Sequence, residues 1–335
     1  MRRIRTNRAA LGLAALAAVA TLALTSCDAD SAARPASGPG SNARCITTAA
    51  ATKAQTGSSS DGTQVTYWTP AKLAGGTKAP VVVFLHGFML TDPGAYQPMI
   101  DHLTCQGLIV IFPSINKDLF NITSDTDQNK MLARAVSSTN VAVGKLGAKA
   151  DLSRVYLYGH SLGGLLGAAW TGAGGIAPKG IVLANPSTDA SVGMPDFVKG
   201  LVTITPINLG SYTPAVTAPI VILTGDGDTI APSNQSTNLW NAVYNSSSRS
   251  VFQARTDKHG VPNLSADHLA PIQSSGLIPN VILAAFAGGA ASNDALDWRF
   301  YASALDQMID GKPVPTFAMG NWADGTARLA PVRLR

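Results

Sequence analysis

Charge is scarce in this chain: only 13% of its 335 residues are Asp, Glu, Lys or Arg. The formal net charge of +5 also misleads, because Arg2, Arg3, Arg5 and Arg8 supply most of it and residues 1–27 contain no acid. What remains is close to neutral, without the basic face that a nucleic-acid partner requires. Cysteine is equally sparse, at three residues. Histidines, cysteines and acids nowhere recur at metal-ligand spacing, which argues against a metal site. The apolar stretch Ala9 to Leu24 falls short of the roughly 20 residues that span a bilayer, and so does Leu277 to Ala290, which reads as packed helix or loop. No internal repeat is visible. With 46% hydrophobic residues the chain has enough apolar material for one large core.

The first 27 residues read as an address. A basic start from Met1 to Arg8, an apolar run and small residues at its end describe a secretory signal peptide. Leu24-Thr25-Ser26-Cys27 resembles the bacterial lipobox, which implies cleavage before Cys27, lipid on its thiol and membrane attachment through that anchor. An ordinary signal peptide, with a secreted product, is the competing reading. Residues 28–60 are rich in Ala, Ser, Gly, Thr and Pro and are expected to form a flexible tether. Residues 61–335 form the domain. With Cys27 assigned to the lipobox, Cys45 and Cys105 remain as an even pair in an exported protein, so a disulfide is expected in preference to two free thiols.

The domain is organised around Arg154 to Trp170, RVYLYGHSLGGLLGAAW. Val155 to Tyr158 suit a strand buried on both faces, Gly159-His160-Ser161-Leu162-Gly163 a tight turn, and Leu165 to Trp170 a packed helix. This is the setting of a G-x-S-x-G elbow, where a serine sits on a strained corner beside the positive end of a helix dipole. Around it, Thr63 to Trp68 alternates like an edge strand. Pro80 to Leu85, Leu108 to Pro113, Gly180 to Ala184, Ile220 to Leu223 and Ser250 to Arg255 read as strands. Gln97 to Gln106, Asn129 to Leu146 and Asn293 to Ile309 read as helices. The alternation predicts an α/β fold with a mostly parallel central sheet and helices on both faces, with function gathered at the C-terminal strand ends.

A serine hydroxyl needs a base, and the base an orienting acid, in the chain order nucleophile, acid, histidine for this turn type. Asp226 and Asp228 both follow the strand ending at Leu223. His259 and His268 both follow the last strand, whereas His102 precedes the acid and falls in a predicted surface helix. The tetrahedral intermediate further needs two fixed N–H donors; Leu162, just after the serine, is one.

Three stretches, VVVFLHGF, YGHSLGGLLGAAW and VILTGDGDTIAP, resemble the α/β-hydrolase superfamily over roughly residues 62 to 312. The likeness is to the cutinase, polyester-hydrolase, chlorophyllase and dienelactone-hydrolase type. It implies a serine esterase with Ser161 as nucleophile and no cofactor. The family's G-x-x-D pattern favours Asp228 over Asp226, and the turn His86-Gly87-Phe88 favours Phe88, with Met89 as rival, as second oxyanion donor. His268, followed by an apolar residue, is preferred to His259. Asn185 to Pro219 is too short for a large helical lid, so the cap is minimal and a cleft for bulky or polymeric esters is permitted. Trp240 and Tyr244 are candidates for its wall or for the core. The rivals are a peptidase or acyltransferase on the same fold and a non-catalytic surface-binding lipoprotein.

Overall fold

Five consecutive strand segments with scarcely a polar residue require cover on both faces, and the chain folds to provide it. A computed structural model describes residues 33–118, 121, 124–189, 203–274 and 289–335. Among these residues one sheet of nine strands forms: β1 Thr52–Thr56, β2 Val65–Thr69, β3 Ala79–Leu85, β4 Ile109–Pro113, β5 Ala150–His160, β6 Gly180–Ala184, β7 Ile220–Gly225, β8 Arg249–Ala254 and β9 Val332–Arg333. Their spatial order is β1-β2-β4-β3-β5-β6-β7-β8-β9. The pairs from β4 through β8 are parallel, and antiparallel strands close both edges. This is the α/β-hydrolase fold expected from the sequence.

Side chains alternate across the sheet with a period of two. Val82, Phe84, Tyr158, Val182 and Val221 enter one core cluster, and Val81, Val83, Leu157, Ile181 and Ile222 enter the other. Helices α1 Gln97–Cys105 and α5 Ser303–Ile309 contribute to the first cluster; α2 Gln128–Leu146, α3 Leu162–Ala169 and α4 Ser233–Ala242 contribute to the second. The chain runs from β3 to β4 on one side and then crosses to β5 on the other. That reversal opens a crevice at the carboxyl ends of β3 and β5, where open α/β sheets bind ligands.

Residues 33–60 correct one expectation, because they are packed onto the domain instead of hanging from it. β1 adds an edge strand to β2. Upstream, the Arg34 guanidinium lies 3.1 Å from the Trp298 ring centroid, and Gly40 N–H donates to Asp306 at 2.7 Å. A Cβ at Gly40 would sit 1.9 Å from the Trp298 carbonyl oxygen, and its φ of +82° also demands glycine. Arg44 donates to Gln106 and to both oxygens of Asp310. A Cys45–Cys105 disulfide fastens the segment to α1. Small polar residues usually mark a tether because they bury little; here a few directed contacts and a covalent link supply what apolar area does not. The disulfide points to an oxidising compartment and thus an exported protein.

His102 is a second correction. It is fully buried against Asp306, not on a surface helix. The closing helix begins with a π-helical turn, Asp297–Ala302, before α5. The signal segment with Cys27 and most of Leu277 to Ala290 lie outside the described residues. Among the described residues no helix is long and apolar enough to cross a membrane.

Candidate active site

Ser161 stands at the end of β5 with φ +54° and ψ −118°, a conformation that costs a non-glycine residue about 1–3 kcal/mol. The surroundings hold it there. Its N–H donates to Ala184 O at 3.0 Å, and its carbonyl accepts from Gly164, Leu165 and Ser187. The flanking glycines are sterically required: a Cβ at Gly163 would lie 2.1 Å from Leu85 O, and one at Gly159 2.4 Å from Gly163 O. The strand and helix can therefore meet in a corner tight enough to lift the serine hydroxyl off the sheet end.

The structure brings Ser161, His268 and Asp228 into one hydrogen-bonded line. Ser161 Oγ is 2.8 Å from His268 Nε2, and His268 Nδ1 is 2.8 Å from Asp228 Oδ2. All three are buried, at 8%, 4% and 5% exposure. The second carboxylate oxygen of Asp228 accepts from Ile230 N–H at 2.9 Å and Ala231 N–H at 2.7 Å, which fixes the carboxylate plane. Since a carboxylate only accepts, His268 carries its proton on Nδ1 and presents a bare Nε2 to the serine hydroxyl.

The rivals lie elsewhere. Asp226 accepts from Thr256 N–H and Oγ1 at 2.8 and 2.7 Å, stitching the end of β7 to the loop after β8. His259 is exposed and pairs with Asp324 at 2.7 Å. Asp267, next to His268, is buried; burial pushes its carboxyl up, and it accepts from Ser265 Oγ and Leu269 N–H without touching the imidazole.

At the end of β3, Met89 N–H already donates to Asn116 Oδ1 at 3.2 Å, whereas neither Phe88 N–H nor Leu162 N–H has a side-chain acceptor among the described residues. The turn itself is braced by His86. Ile115 N–H donates to His86 Nε2 at 2.9 Å, so the proton lies on Nδ1 and is given to Gly87 O at 2.7 Å. Complete burial lowers the His86 pKa to about 4 and keeps the ring neutral.

Several residues that support this arrangement escaped the sequence reading. Asn185, at φ +45°, donates its amide to Asp267 O at 2.8 Å and His268 O at 3.3 Å, and Tyr301 donates to its Oδ1 at 3.4 Å. Gln235 on α4 accepts from Thr188 N–H and Asp189 N–H while donating to Ile230 O, tying the loop after β6 to the Asp228 loop. Position at a strand's carboxyl end was the one available signal for Asn185; nothing local marks Gln235. Of the aromatic candidates, Trp240 packs against the core under the Arg249 guanidinium, 4.0 Å from its ring centroid, and Tyr244 is exposed. Among the described residues no three His, Cys, Asp or Glu side chains gather so as to hold a metal ion.

The sheet order, the crossing at β3 and the serine corner are together those of the α/β-hydrolase fold. The family model described as chlorophyllase matches residues 46–182. That stretch includes the His86-Gly87-Phe88 turn and Ser161 and ends before Asp228 and His268. No curated protein matches the chain.

Proposed function

We propose that this protein is an exported serine hydrolase that cleaves carboxylic esters through an acyl-enzyme. The observation that carries the reading is the pair of 2.8 Å contacts joining Ser161, His268 and Asp228. The likeness to the chlorophyllase family supports the coarser part of it, an ester hydrolase of the α/β-hydrolase type. Ser161 Oγ attacks the ester carbonyl as its proton passes to His268 Nε2. Asp228 holds the imidazole in the Nδ1–H tautomer and balances the imidazolium charge. Phe88 and Leu162 N–H groups receive the oxyanion. The intermediate collapses, His268 returns the proton to the leaving alcohol, and water, deprotonated by the same nitrogen, releases the acid. None of these steps calls for a cofactor. The Leu24-Thr25-Ser26-Cys27 motif supports lipid attachment at Cys27 and a cell-envelope location. The short Asn185 to Pro219 connection permits bulky or polymeric esters.

The test is hydrolysis of p-nitrophenyl esters of increasing chain length by the protein lacking residues 1–27, beside Ser161→Ala and His268→Ala, with a fluorophosphonate label on Ser161. Turnover and labelling are expected in the parent, with losses of about 10³-fold or more in each variant. An unlabelled serine and a parent no faster than Ser161→Ala would sink the reading.

A further inference from the structure

His160, between the first glycine and the serine of the elbow, is fully buried and takes no part in the chemistry just described. Both of its nitrogens are nevertheless used. Nδ1 lies 2.8 Å from Tyr96 Oη, and Nε2 lies 3.0 Å from the carbonyl oxygen of His268. Tyr96 Oη in turn accepts from Gly87 N–H at 3.0 Å. The proton positions follow from the partners alone. The His268 carbonyl only accepts, so the neutral His160 ring carries its proton on Nε2 and donates it there. Nδ1 is then bare and accepts the Tyr96 hydroxyl proton, while the Tyr96 oxygen accepts from Gly87 N–H. The chain runs in one direction, from the turn that presents Phe88 to the backbone of the base, and passes directly beneath the serine.

We infer that Tyr96 and His160 are positioning residues that lock the oxyanion turn and the base loop together, so that the N–H donors and His268 Nε2 keep a fixed geometry about Ser161. The inference rests on the serine-hydrolase reading. The reacting groups come from three separate strand ends, β3, β5 and the loop after β8; the sheet's own hydrogen bonds reach Ser161, through Ala184 O, but stop short of Phe88 and His268. Burial, reinforced by the neighbouring His268 ring, lowers the His160 pKa to about 3, so the link stays neutral and does not reverse at working pH. Asn185 shares the His268 carbonyl at 3.3 Å but does not reach the Gly87 turn. Gln273 and Ser274 N–H also tie the chain after the base to Ala95 O, at 3.0 and 3.3 Å, but among the described residues it is the Tyr96–His160 path that reaches Gly87 N–H itself.

Tyr96→Phe removes one hydroxyl and leaves Gly87 N–H and His160 Nδ1 without each other. In a folded variant, checked by Tm, kcat is expected to fall about 10- to 100-fold, the cost of a misplacement near 1 Å. KM should stay within about twofold, while affinity for a trifluoromethyl ketone analogue falls in step with kcat, because the loss lies in the transition state. Tyr96→Phe combined with His160→Gln should lose little more than the worse single variant, since both cut the same path. Histidine 15N NMR of the parent supplies a readout independent of turnover and should show His160 as the neutral Nε2–H tautomer. A cationic or Nδ1–H ring, or a Tyr96→Phe enzyme with parental kcat and ketone affinity, overturns the inference while the esterase stands. A parent that neither turns over nor takes the label at Ser161 removes the esterase reading and this inference with it.

Discussion

Two buried His–Asp pairs in this molecule do different work. His268 meets Asp228 at 2.8 Å and His102 meets Asp306 at 3.0 Å, and neither pair is meaningfully exposed. What differs is the company. The far nitrogen of His268 faces a serine hydroxyl. The far nitrogen of His102 lies 3.4 Å from the Arg34 guanidinium, and Asp306 is further engaged by Gly40 N–H, Gln106 and Arg44. One carboxylate therefore orients a base, and the other is the knot that fastens the N-terminal segment to α1 and α5. The pair does not define a base. An open nitrogen facing a nucleophile does.

The sharpest break of this comparison treats both pairs alike. His268→Ala should cost about 10³-fold or more in ester turnover with little loss of Tm. Asp306→Asn should do the reverse, leaving turnover near parental but destabilising the fold by about 3–5 kcal/mol in urea unfolding, because it leaves charged and polar partners buried without a charge to meet. The pH dependence separates the two limbs. Burial raises the Asp306 carboxyl, but His102, Arg44 and Gly40 more than offset that, and its net pKa lies below the ordinary value. A depressed carboxyl stabilises the fold above the unfolded-state pKa of about 3.9 and loses that contribution as pH falls through the folded value. His86 and His160, lowered from 6.5 to about 4 and about 3, bind protons more weakly folded than unfolded. Their contribution is full above 6.5 and is lost progressively below it. The parent should thus begin to weaken below about pH 6.5 and weaken further below about pH 4. Asp306→Asn keeps the first limb and flattens the second.

Next in size is the covalent part of the same knot. Cys45 and Cys105 are separated by 60 residues. Replacing both with Ala releases a loop whose closure is worth about 4 kcal/mol in the chain-entropy model, with about 2–4 kcal/mol typical of measurement. Turnover should persist, since none of the reacting side chains touches the segment. Should it fall as far as in His268→Ala, the N-terminal knot and the active site are not the independent regions drawn here.

Legibility in the sequence follows the same divide. The buried strands could be read because continuous runs such as Val81 to Leu85 have no other use. Ser161 could be read because G-x-S-x-G between a strand and a helix constrains the backbone at every position. Chain order and strand-end placement narrow the acid to Asp226 or Asp228 and the base to His259 or His268, and the resemblance to the family's motifs chooses between them. Residues 33–47 escape the sequence reading because their order comes from Asp306, Trp298 and Cys105, far away in the chain, and β1 escapes it because a largely exposed TKAQT strand on the edge of β2 has no apolar face to mark it. His102 was misplaced for the same reason: its partner is 204 residues on. The Tyr96–His160 path joins positions 64 residues apart, and only the fold brings them together.

The smallest expected effect is also the cleanest control, because it uses a third His–Asp pair. His259 and Asp324 approach to 2.7 Å, as close as the other two pairs, yet both side chains are largely in solvent, at 43% and 56% exposure. Water screens the charges, and holding two mobile side chains together costs entropy, so an exposed pair of this kind contributes little. Beside the pair, His259 N–H donates to Asp257 at 3.1 Å through the backbone, and the Trp322 ring lies 6.0 Å from that of His259. Neither residue of the pair reaches Ser161. His259→Ala should therefore leave both Tm and the ester turnover of the parent unchanged within error, measured side by side with His268→Ala. A loss of turnover in His259→Ala with His268→Ala still active would reverse the assignment of the base, and with it the argument that the neighbour of the far nitrogen, not the length of the His–Asp contact, decides what a pair does.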